Sequence, residues 1–181
     1  SCKLDFSHPP FLNVLFVIQK SWPKEAPHVV TICSEKADLE KNISNKTKAI
    51  LAVDIFGHPV NVVKIRKICK KYNLKFILDS AQSPYSKYKG KFSSEYADVA
   101  GYSFNFHKHI STGEGGAIVT SDRKIARKLQ LIRNHGEIVV EEKEKHNHHI
   151  LGFNFRLGEL EAAIGIEQLK KLKKIVREKQ G

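Results

Sequence analysis

The sequence predicts an α/β fold built on a mostly parallel β-sheet. Two short runs, residues 48–55 (KAILAVDI) and 74–80 (LKFILDS), are almost wholly apolar. Such runs are typical of strands that are buried on both faces of a parallel sheet. An amphipathic helix is predicted between them, because four apolar residues recur there at helical spacing: Val62, Ile65, Ile68 and Cys69. Strands and helices in this order indicate a doubly wound α/β architecture.

The rest of the chain from residue 29 continues the alternation. We predict further strands at residues 29–32, 98–104 and 116–121, and further helices at residues 36–43, at 122–134 and within 152–180. Ser121 and Asp122 are candidate N-caps of the second of these helices, because their side-chain oxygens can accept hydrogen bonds from its first backbone amides. The last helix is amphipathic, with five apolar residues on or near one face: Leu160, Ile164, Leu169, Leu172 and Val176.

The first 28 residues fit this alternation poorly, and four prolines interrupt any regular element there. The apolar run at residues 11–18 (FLNVLFVI) is too short to cross a membrane. We interpret it as a buried strand or a damaged segment. The predicted organisation is therefore a poorly matching N-terminal segment, residues 1–28, followed by one domain at residues 29–181.

The net charge of +12 raises the question of a nucleic-acid partner. The Lys and Arg residues, however, alternate with apolar residues in helical segments, as on the solvated face of an amphipathic helix. This pattern favours a protein that binds neither nucleic acid nor membrane. The three cysteines, Cys2, Cys33 and Cys69, lie far apart and indicate neither a disulfide framework nor a zinc site. We therefore expect a cytoplasmic protein.

Polar side chains follow two of the predicted strands where each strand ends. Asp79 ends one strand, Gln82 follows it closely, and Ser103 ends the next strand, five residues before Lys108. Ligands of open α/β sheets bind at the carboxyl ends of the strands. A carboxylate near a lysine has two interpretations. The pair could form a structural salt bridge. Alternatively, the lysine amine could bond to a carbonyl cofactor while the carboxylate holds the ring nitrogen of that cofactor.

Four sequence blocks in order resemble the DegT/DnrJ/EryC1/StrS family of sugar aminotransferases. The blocks are LDSAQS, GYSFNFHKHISTGEGGAIVTSD, IRNHG and LGFNFRLGELEAAIGIEQLKKL, and the resemblance runs from about residue 29 to the end of the chain. It implies the three-layer, mostly parallel sheet of the large domain of pyridoxal-phosphate (PLP) transferases. It also implies transfer of an amino group from glutamate or glutamine to a nucleotide-linked keto sugar, in the biosynthesis of amino sugars for polysaccharides or antibiotics.

The resemblance also implies roles for individual residues. Lys108 would bond to the aldehyde of PLP and move the catalytic proton, and Asp79 would pair with the pyridine nitrogen. Gln82 would contact the region of the ring hydroxyl, and Ser103 would bind the phosphate. Asn154, in GFNFR, would cross a homodimer interface to reach the cofactor phosphate of the partner.

Simpler interpretations stay open for two of these residues and for the histidines. Gln82 could cap a turn, and Asn154 could satisfy loop backbone. A related sugar dehydratase of the family carries histidine in place of the lysine, but the spacing from Ser103 favours Lys108 at that position. A metal site on the histidines of residues 146–149 is not supported by any Cys or carboxylate spacing.

Two segments expected from the resemblance are not found in the sequence. One is the upstream part that holds the phosphate and stacks an aromatic side chain on the ring, and the other is the small C-terminal domain. We therefore expect a middle portion of an enzyme that binds PLP weakly or not at all when isolated. Two alternatives remain: a catalytically incomplete remnant that acts as a dimerising or binding module, and a basic nucleic-acid-binding domain.

Overall fold

The computed structural model describes residues 12–13, 28–32, 39–137 and 150–180. The strands in this part of the chain are β1 (Leu12–Asn13), β2 (His28–Ile32), β3 (Thr47–Val53), β4 (Lys75–Asp79), β5 (Lys87–Tyr88), β6 (Lys91–Phe92), β7 (Val99–Ser103) and β8 (Gly116–Val119). The α-helices are α1 (Val62–Lys71), α2 (Arg123–Arg133) and α3 (Glu159–Gln180). Two short 3-10 helices lie at Leu39–Asn42 and Ser93–Tyr96.

Six of these strands form one sheet in the order β1-β8-β7-β4-β3-β2, and β5 and β6 form a separate hairpin. The strands β2, β3, β4 and β7 are parallel, β8 runs antiparallel to β7, and β1 runs antiparallel to β8. This arrangement confirms the predicted mostly parallel sheet. It also brings the carboxyl ends of β3, β4 and β7 to one edge, which is where a parallel sheet binds its ligands.

The core lies between the central strands and α1. Ile50 in β3, Phe76 and Leu78 in β4 and Ala100 in β7 have no solvent exposure, as expected for strands that are covered on both faces. The buried residues of α1 are the four that its sequence pattern predicts: Val62, Ile65, Ile68 and Cys69. Burial raises the pKa of the Cys69 thiol to about 11, so this cysteine is an unreactive part of the core.

Two predicted elements differ in extent from those in the structure. The helix expected at residues 36–43 is a single 3-10 turn, Leu39–Asn42, and residues 36–38 lie outside the described ranges. Only Leu39 of that turn is buried, so the segment lacks the apolar face that stabilises a longer helix. Within the apolar run at 11–18, Leu12–Asn13 forms an edge strand of the sheet, and residues 14–18 lie outside the described ranges.

The long predicted helix is present as α3, and it exposes much of its apolar face. Leu172 is buried, whereas Leu160, Ile164 and Leu169 are exposed. Gly165 gives α3 a close approach to the loop before β8, since a Cβ there would lie 3.2 Å from Cγ2 of Thr112. In the described ranges, no helix combines the length and the apolar character needed to cross a membrane.

Asp122 is the N-cap of α2, as predicted. Its Oδ1 accepts hydrogen bonds from the backbone N–H of Lys124 (2.7 Å) and of Ile125 (3.2 Å). These bonds, with that of Ile125 the stronger influence, lower the pKa of the carboxyl below its ordinary value of 3.8. The cap therefore stabilises the fold above pH 3.8, and this contribution is lost as the pH falls through the lowered pKa.

We expect Asp122→Ala to lower the thermal unfolding midpoint at neutral pH, because two helix amides lose their acceptor. The difference from the wild type should shrink as the pH falls below 3.8. Circular dichroism melts of both proteins across this pH range provide the measurement. Ser121→Ala, at the exposed neighbouring position, is the control and should leave the midpoint unchanged. A midpoint difference for Asp122→Ala that is independent of pH would contradict this role of the cap.

Candidate active site

The carboxyl edge of the parallel strands brings together most of the polar residues singled out in the sequence. Val53 of β3 pairs with Asp79 of β4, which pairs in turn with Gly101 of β7. Ser103 therefore ends β7 two residues beyond the level of Asp79. The next residues of the chain form the loops that cover this edge.

Asp79 presents one oxygen of its carboxylate to the site. The backbone N–H of Ala81 donates to Oδ1 at 2.9 Å, and the backbone oxygen of Asp79 accepts from the N–H of Asp54 at 2.9 Å. Within the described part of the chain, Oδ2 has no hydrogen-bond partner. The residue is half-buried. Its carboxylate is thus held from one side and is available to a ligand on the other.

Lys108 lies in the loop between β7 and β8, and this loop is closed at its base. The N–H of Phe104 donates to the oxygen of Gly115 (2.8 Å), and the N–H of Thr112 donates to the oxygen of Phe104 (2.9 Å). The Asn105 side chain donates to the Glu114 carboxylate (2.8 Å).

At the tip of the same loop, the backbone N–H of Lys108 donates to the oxygen of Asn105 (2.9 Å). Lys108 is half-buried, and among the described residues its ammonium makes no ion pair. Within the described ranges, therefore, no structural salt bridge holds this lysine.

The two histidines beside Lys108 have different surroundings. His107 is exposed and its ring lies against that of Phe106, with 3.6 Å between the ring centroids. His109 is partly buried, and desolvation lowers its pKa, with the positive charges of Lys179 and Lys108 acting in the same direction. His109 is therefore neutral at physiological pH and adds no second positive charge next to Lys108.

Gln82 and Ser103 flank Asp79 and Lys108 at this edge. Gln82 accepts a hydrogen bond at Oε1 from the backbone N–H of Phe56 (3.3 Å). Its amide nitrogen has no partner among the described residues. Ser103 accepts at Oγ from the N–H of Asn105 (3.3 Å), and its own hydroxyl hydrogen remains available to a ligand.

Asn154 lies on a separate segment that packs against the end of α2. It forms a β-bridge with Asn134, and the N–H of Phe153 donates to the oxygen of Ile132 (2.7 Å). The Asn154 side chain is exposed. In the described part of the chain, no hydrogen bond joins it to the other four candidate residues.

Two residues of this edge were not singled out by sequence reasoning. Asp54, directly after β3, is completely buried. Phe56 is 90% exposed and has a backbone φ of +51°, a conformation that is uncommon for a bulky residue. Asp54 was missed because the run at residues 48–55 is otherwise almost entirely apolar and is typical of a strand. Phe56 could have been noticed from the sequence, because the neighbouring Gly57 indicates a turn.

The described residues include no group of three or more His, Cys, Asp or Glu that could hold a metal ion. The histidines of residues 146–149 lie outside the described ranges. The functional groups that converge at the sheet edge are instead an amine, a carboxylate, an amide and a hydroxyl. This set matches the aldehyde, the pyridine nitrogen, the ring hydroxyl and the phosphate of PLP. Two observations fit it most directly: Oδ2 of Asp79 and the ammonium of Lys108 both lack a partner among the residues that the structure describes.

The fold and this edge define an α/β protein with a mostly parallel sheet, a lysine in the loop after β7 and an acid at the end of β4. The family model of the DegT/DnrJ/EryC1/StrS aminotransferase family matches residues 27–181. The chain belongs to this family.

Three relatives illustrate the match. The chain is 42% identical, over 133 residues, to a UDP-4-amino-4,6-dideoxy-N-acetyl-beta-L-altrosamine transaminase of Helicobacter pylori, covering 74% of this chain and 35% of the relative. The structure of PseC, an aminotransferase of pseudoaminic acid biosynthesis from Helicobacter pylori, superposes with a TM-score of 0.70 at 40% identity, covering 75% of this chain and 36% of PseC. NtdA of Bacillus subtilis, solved with its bound cofactor PMP, gives a TM-score of 0.63 at 35% identity, covering 74% and 29% of the two chains.

The chain spans about a third of the length of the relatives that it matches. The family-model match, residues 27–181, includes β2 to β8 and the edge that carries Asp79 and Lys108.

Proposed function

We propose that the protein is a PLP-dependent sugar aminotransferase that moves an amino group from glutamate or glutamine to a nucleotide-linked keto sugar. The observation that carries the proposal is the half-buried Lys108, held on a closed loop without an ion-pair partner among the described residues, at the edge where Asp79 offers a free carboxylate oxygen. Membership of the family supports the reaction class. The UDP-sugar named in one relative supports the substrate class.

The residues at the edge of the sheet fit PLP in the following roles. The Nζ of Lys108 would hold the cofactor through its aldehyde carbon, and Oδ2 of Asp79 would accept the proton on the pyridine nitrogen in a hydrogen bond. The free amide nitrogen of Gln82 would donate to the ring hydroxyl, and Ser103 would donate its hydroxyl to the phosphate. The PMP bound to NtdA, an amino form of the same cofactor, supports this choice.

When bound, PLP supplies an electron sink for the carbon that loses a proton. Lys108 has the second task of taking that proton from the carbon that carries the donor's amino group and delivering it again on the acceptor side. An amine can do so only in its neutral form. The lowered pKa of His109 favours a neutral imidazole beside this amine.

A homodimer in the cytoplasm completes the proposal. Asn154 is exposed and lies apart from the other four residues, which suits a side chain that reaches the cofactor phosphate of a partner subunit. The apolar residues that α3 exposes, Leu160, Ile164 and Leu169, suit contact with a second copy. The cytoplasm is proposed because the cysteine pattern indicates no disulfide framework and because PLP and nucleotide sugars are cytoplasmic metabolites.

The related dehydratase activity is the second candidate, and the catalytically incomplete remnant is the third. The dehydratase is disfavoured because a lysine, not a histidine, occupies the loop tip at residue 108. A remnant would keep the fold without selective chemistry at this lysine.

Covalent trapping tests the proposal. Because the isolated chain is expected to hold PLP weakly, the incubation uses excess PLP. After reduction with borohydride, we expect peptide mapping to place the cofactor on Lys108 in preference to the many exposed lysines. Surface lysines react with aldehydes in proportion to exposure and neutral fraction, so each serves as an internal control. Labelling spread evenly over the exposed lysines, or concentrated at another residue, would contradict the assignment.

A further inference from the structure

Asp54 is a buried carboxylate for which the proposed chemistry has no direct use. The residue has no solvent exposure and directly follows β3. Its Oδ1 accepts from the backbone N–H of Val60 at 3.0 Å. Its Oδ2 accepts from the hydroxyl of Ser93 at 2.6 Å and from that of Ser80 at 3.3 Å. Among the described residues, no Lys, Arg or His forms an ion pair with it.

The main chain of Asp54 is tied to the same part of the molecule. Its N–H donates to the backbone oxygen of Asp79 (2.9 Å), and its backbone oxygen accepts from the hydroxyl of Ser83 (2.8 Å). The hydroxyl of Ser83 accepts in turn from the N–H of Gly57 (3.0 Å). Both ends of the turn at residues 79–83 are thus bonded to this single residue.

This turn carries two of the proposed cofactor contacts. Asp79 begins it and is oriented by the N–H of Ala81. Gln82 lies within it and is oriented by the N–H of Phe56, which is two residues from Asp54. An uncompensated buried carboxylate is costly, and its hydrogen bonds are shorter and stronger than those of neutral groups. Three hydrogen-bond donors offset this cost at Asp54: the N–H of Val60 and the hydroxyls of Ser80 and Ser93. Ser80 belongs to the turn, and Ser93 belongs to a third segment.

We propose that Asp54 is a positioning residue whose buried carboxylate fixes the turn at residues 79–83, so that Asp79 and Gln82 face the cofactor. The inference rests on the proposed function for its purpose, but its geometric part stands on the hydrogen bonds alone. Asp54 does not touch the reacting atoms in this account. Its carboxylate acts through Ser80, which follows Asp79, and its backbone oxygen holds Ser83, which follows Gln82.

Asp98 offers a matched control at the opposite edge of the sheet. Its Oδ2 accepts from Nη1 of Arg66 (2.8 Å) and from the backbone N–H of Phe76 (2.8 Å). It lies directly before β7, at the amino ends of the parallel strands. Asp98→Asn and Asp54→Asn each replace a hydrogen-bonded carboxylate by an amide of equal size, and only the second touches the site turn.

Hydrogen exchange of the apo chain, resolved to single amides by NMR, tests the geometric part. In Asp54→Asn we expect the amides of Ala81, Ser83 and Gly57 to exchange at least about tenfold faster than in the wild type, because a hydrogen bond to a charged group is lost or reversed. In Asp98→Asn these amides should change less than about twofold, while the amide of Phe76 exchanges faster. Unchanged exchange in the turn of Asp54→Asn, or an equal increase in both variants, would overturn the proposal.

Two further measurements cover the case in which Asp54→Asn does not fold and test the role of Asp54 toward the cofactor. If Asp54→Asn does not fold, Ser93→Ala removes the 2.6 Å bond to Asp54, together with the longer 3.4 Å bond of the same hydroxyl to the backbone oxygen of Ser86. This variant should accelerate exchange at the same amides in the same order. Spectroscopic titration with PLP should show weaker binding by Asp54→Asn than by Asp98→Asn, and equal binding by the two variants would overturn the role toward the cofactor. A wild-type chain that PLP does not label at Lys108 would overturn the proposed function, while the exchange data would still decide whether Asp54 holds the turn.

Discussion

In the full-length enzyme that the family resemblance implies, replacing Lys108 with alanine is expected to reduce amino transfer to the keto sugar by at least about ten-thousandfold. The variant loses the amine that would hold the cofactor and the base that would move the proton, and no other amine lies on the closed loop after β7. The measurement is the turnover of donor glutamate or glutamine in the presence of PLP and a nucleotide-linked keto sugar. The thermal midpoint of the variant should match that of the wild type, because the ammonium makes no ion pair among the described residues.

Two controls separate the amine from its charge. Lys108→Arg keeps a positive charge but, since guanidinium stays protonated at neutral pH, should be as inactive as Lys108→Ala. Lys67→Ala, at an exposed position of α1, removes a positive charge far from the sheet edge and should keep full activity. Substantial turnover by Lys108→Arg would show that the residue acts only through charge and would argue against the proposed chemistry.

Gly152→Ala is expected to destabilise the fold by about 3 kcal/mol or more, because it forces backbone against backbone. A Cβ on Gly152 would lie 1.9 Å from the nitrogen of Gly136 and 2.4 Å from the carbonyl carbon of His135. No side chain can rotate away to relieve this contact. The segment that carries Asn154 would have to move from the end of α2, so chemical denaturation should show a lower free energy of unfolding and a thermal midpoint lower by about 6 °C or more.

Gly101→Ala is the matched control for Gly152→Ala. Gly101 lies in β7, has ordinary backbone angles and has no atom within 4 Å of the position of an added Cβ. We expect its free energy of unfolding to stay within about 1 kcal/mol of the wild-type value. Equal stability of the two variants would mean that the crossing of residues 136 and 152 does not constrain the fold.

The central sheet could be predicted from the sequence because its strands are buried on both faces. The run at residues 48–55 covers β3 except for its first residue, Thr47, and the run at residues 74–80 contains β4. The four apolar positions of α1 are the ones that the structure buries. When a helix or strand is buried, apolar residues recur along it in a regular pattern. This pattern can be recognised without knowledge of contacts between distant parts of the chain. That β8 runs antiparallel to β7 could not be predicted in this way, because the direction of a strand does not change its pattern of apolar residues.

The candidate site could be predicted in part for the same reason. Asp79 and Ser103 end strands, and strand ends are visible in the sequence. Asp54 also ends a strand, but its partners Val60, Ser80 and Ser93 lie 6, 26 and 39 residues away. Nothing in a single sequence shows that these groups meet. The contact between Gly136 and Gly152 was hidden in the same way, because it joins two backbones that are distant in the chain.

The closed base of the loop between β7 and β8 has a consequence for the kinetics of cofactor uptake. Its hydrogen bonds, from Phe104 to Gly115 and from Asn105 to Glu114, join groups of the protein to one another and need no ligand atom. The conformational entropy of the loop is therefore lost when the protein folds and not when the cofactor arrives. Association should then be limited by encounter and by bond formation at the amine, without a slow step in which the loop searches for its bound shape.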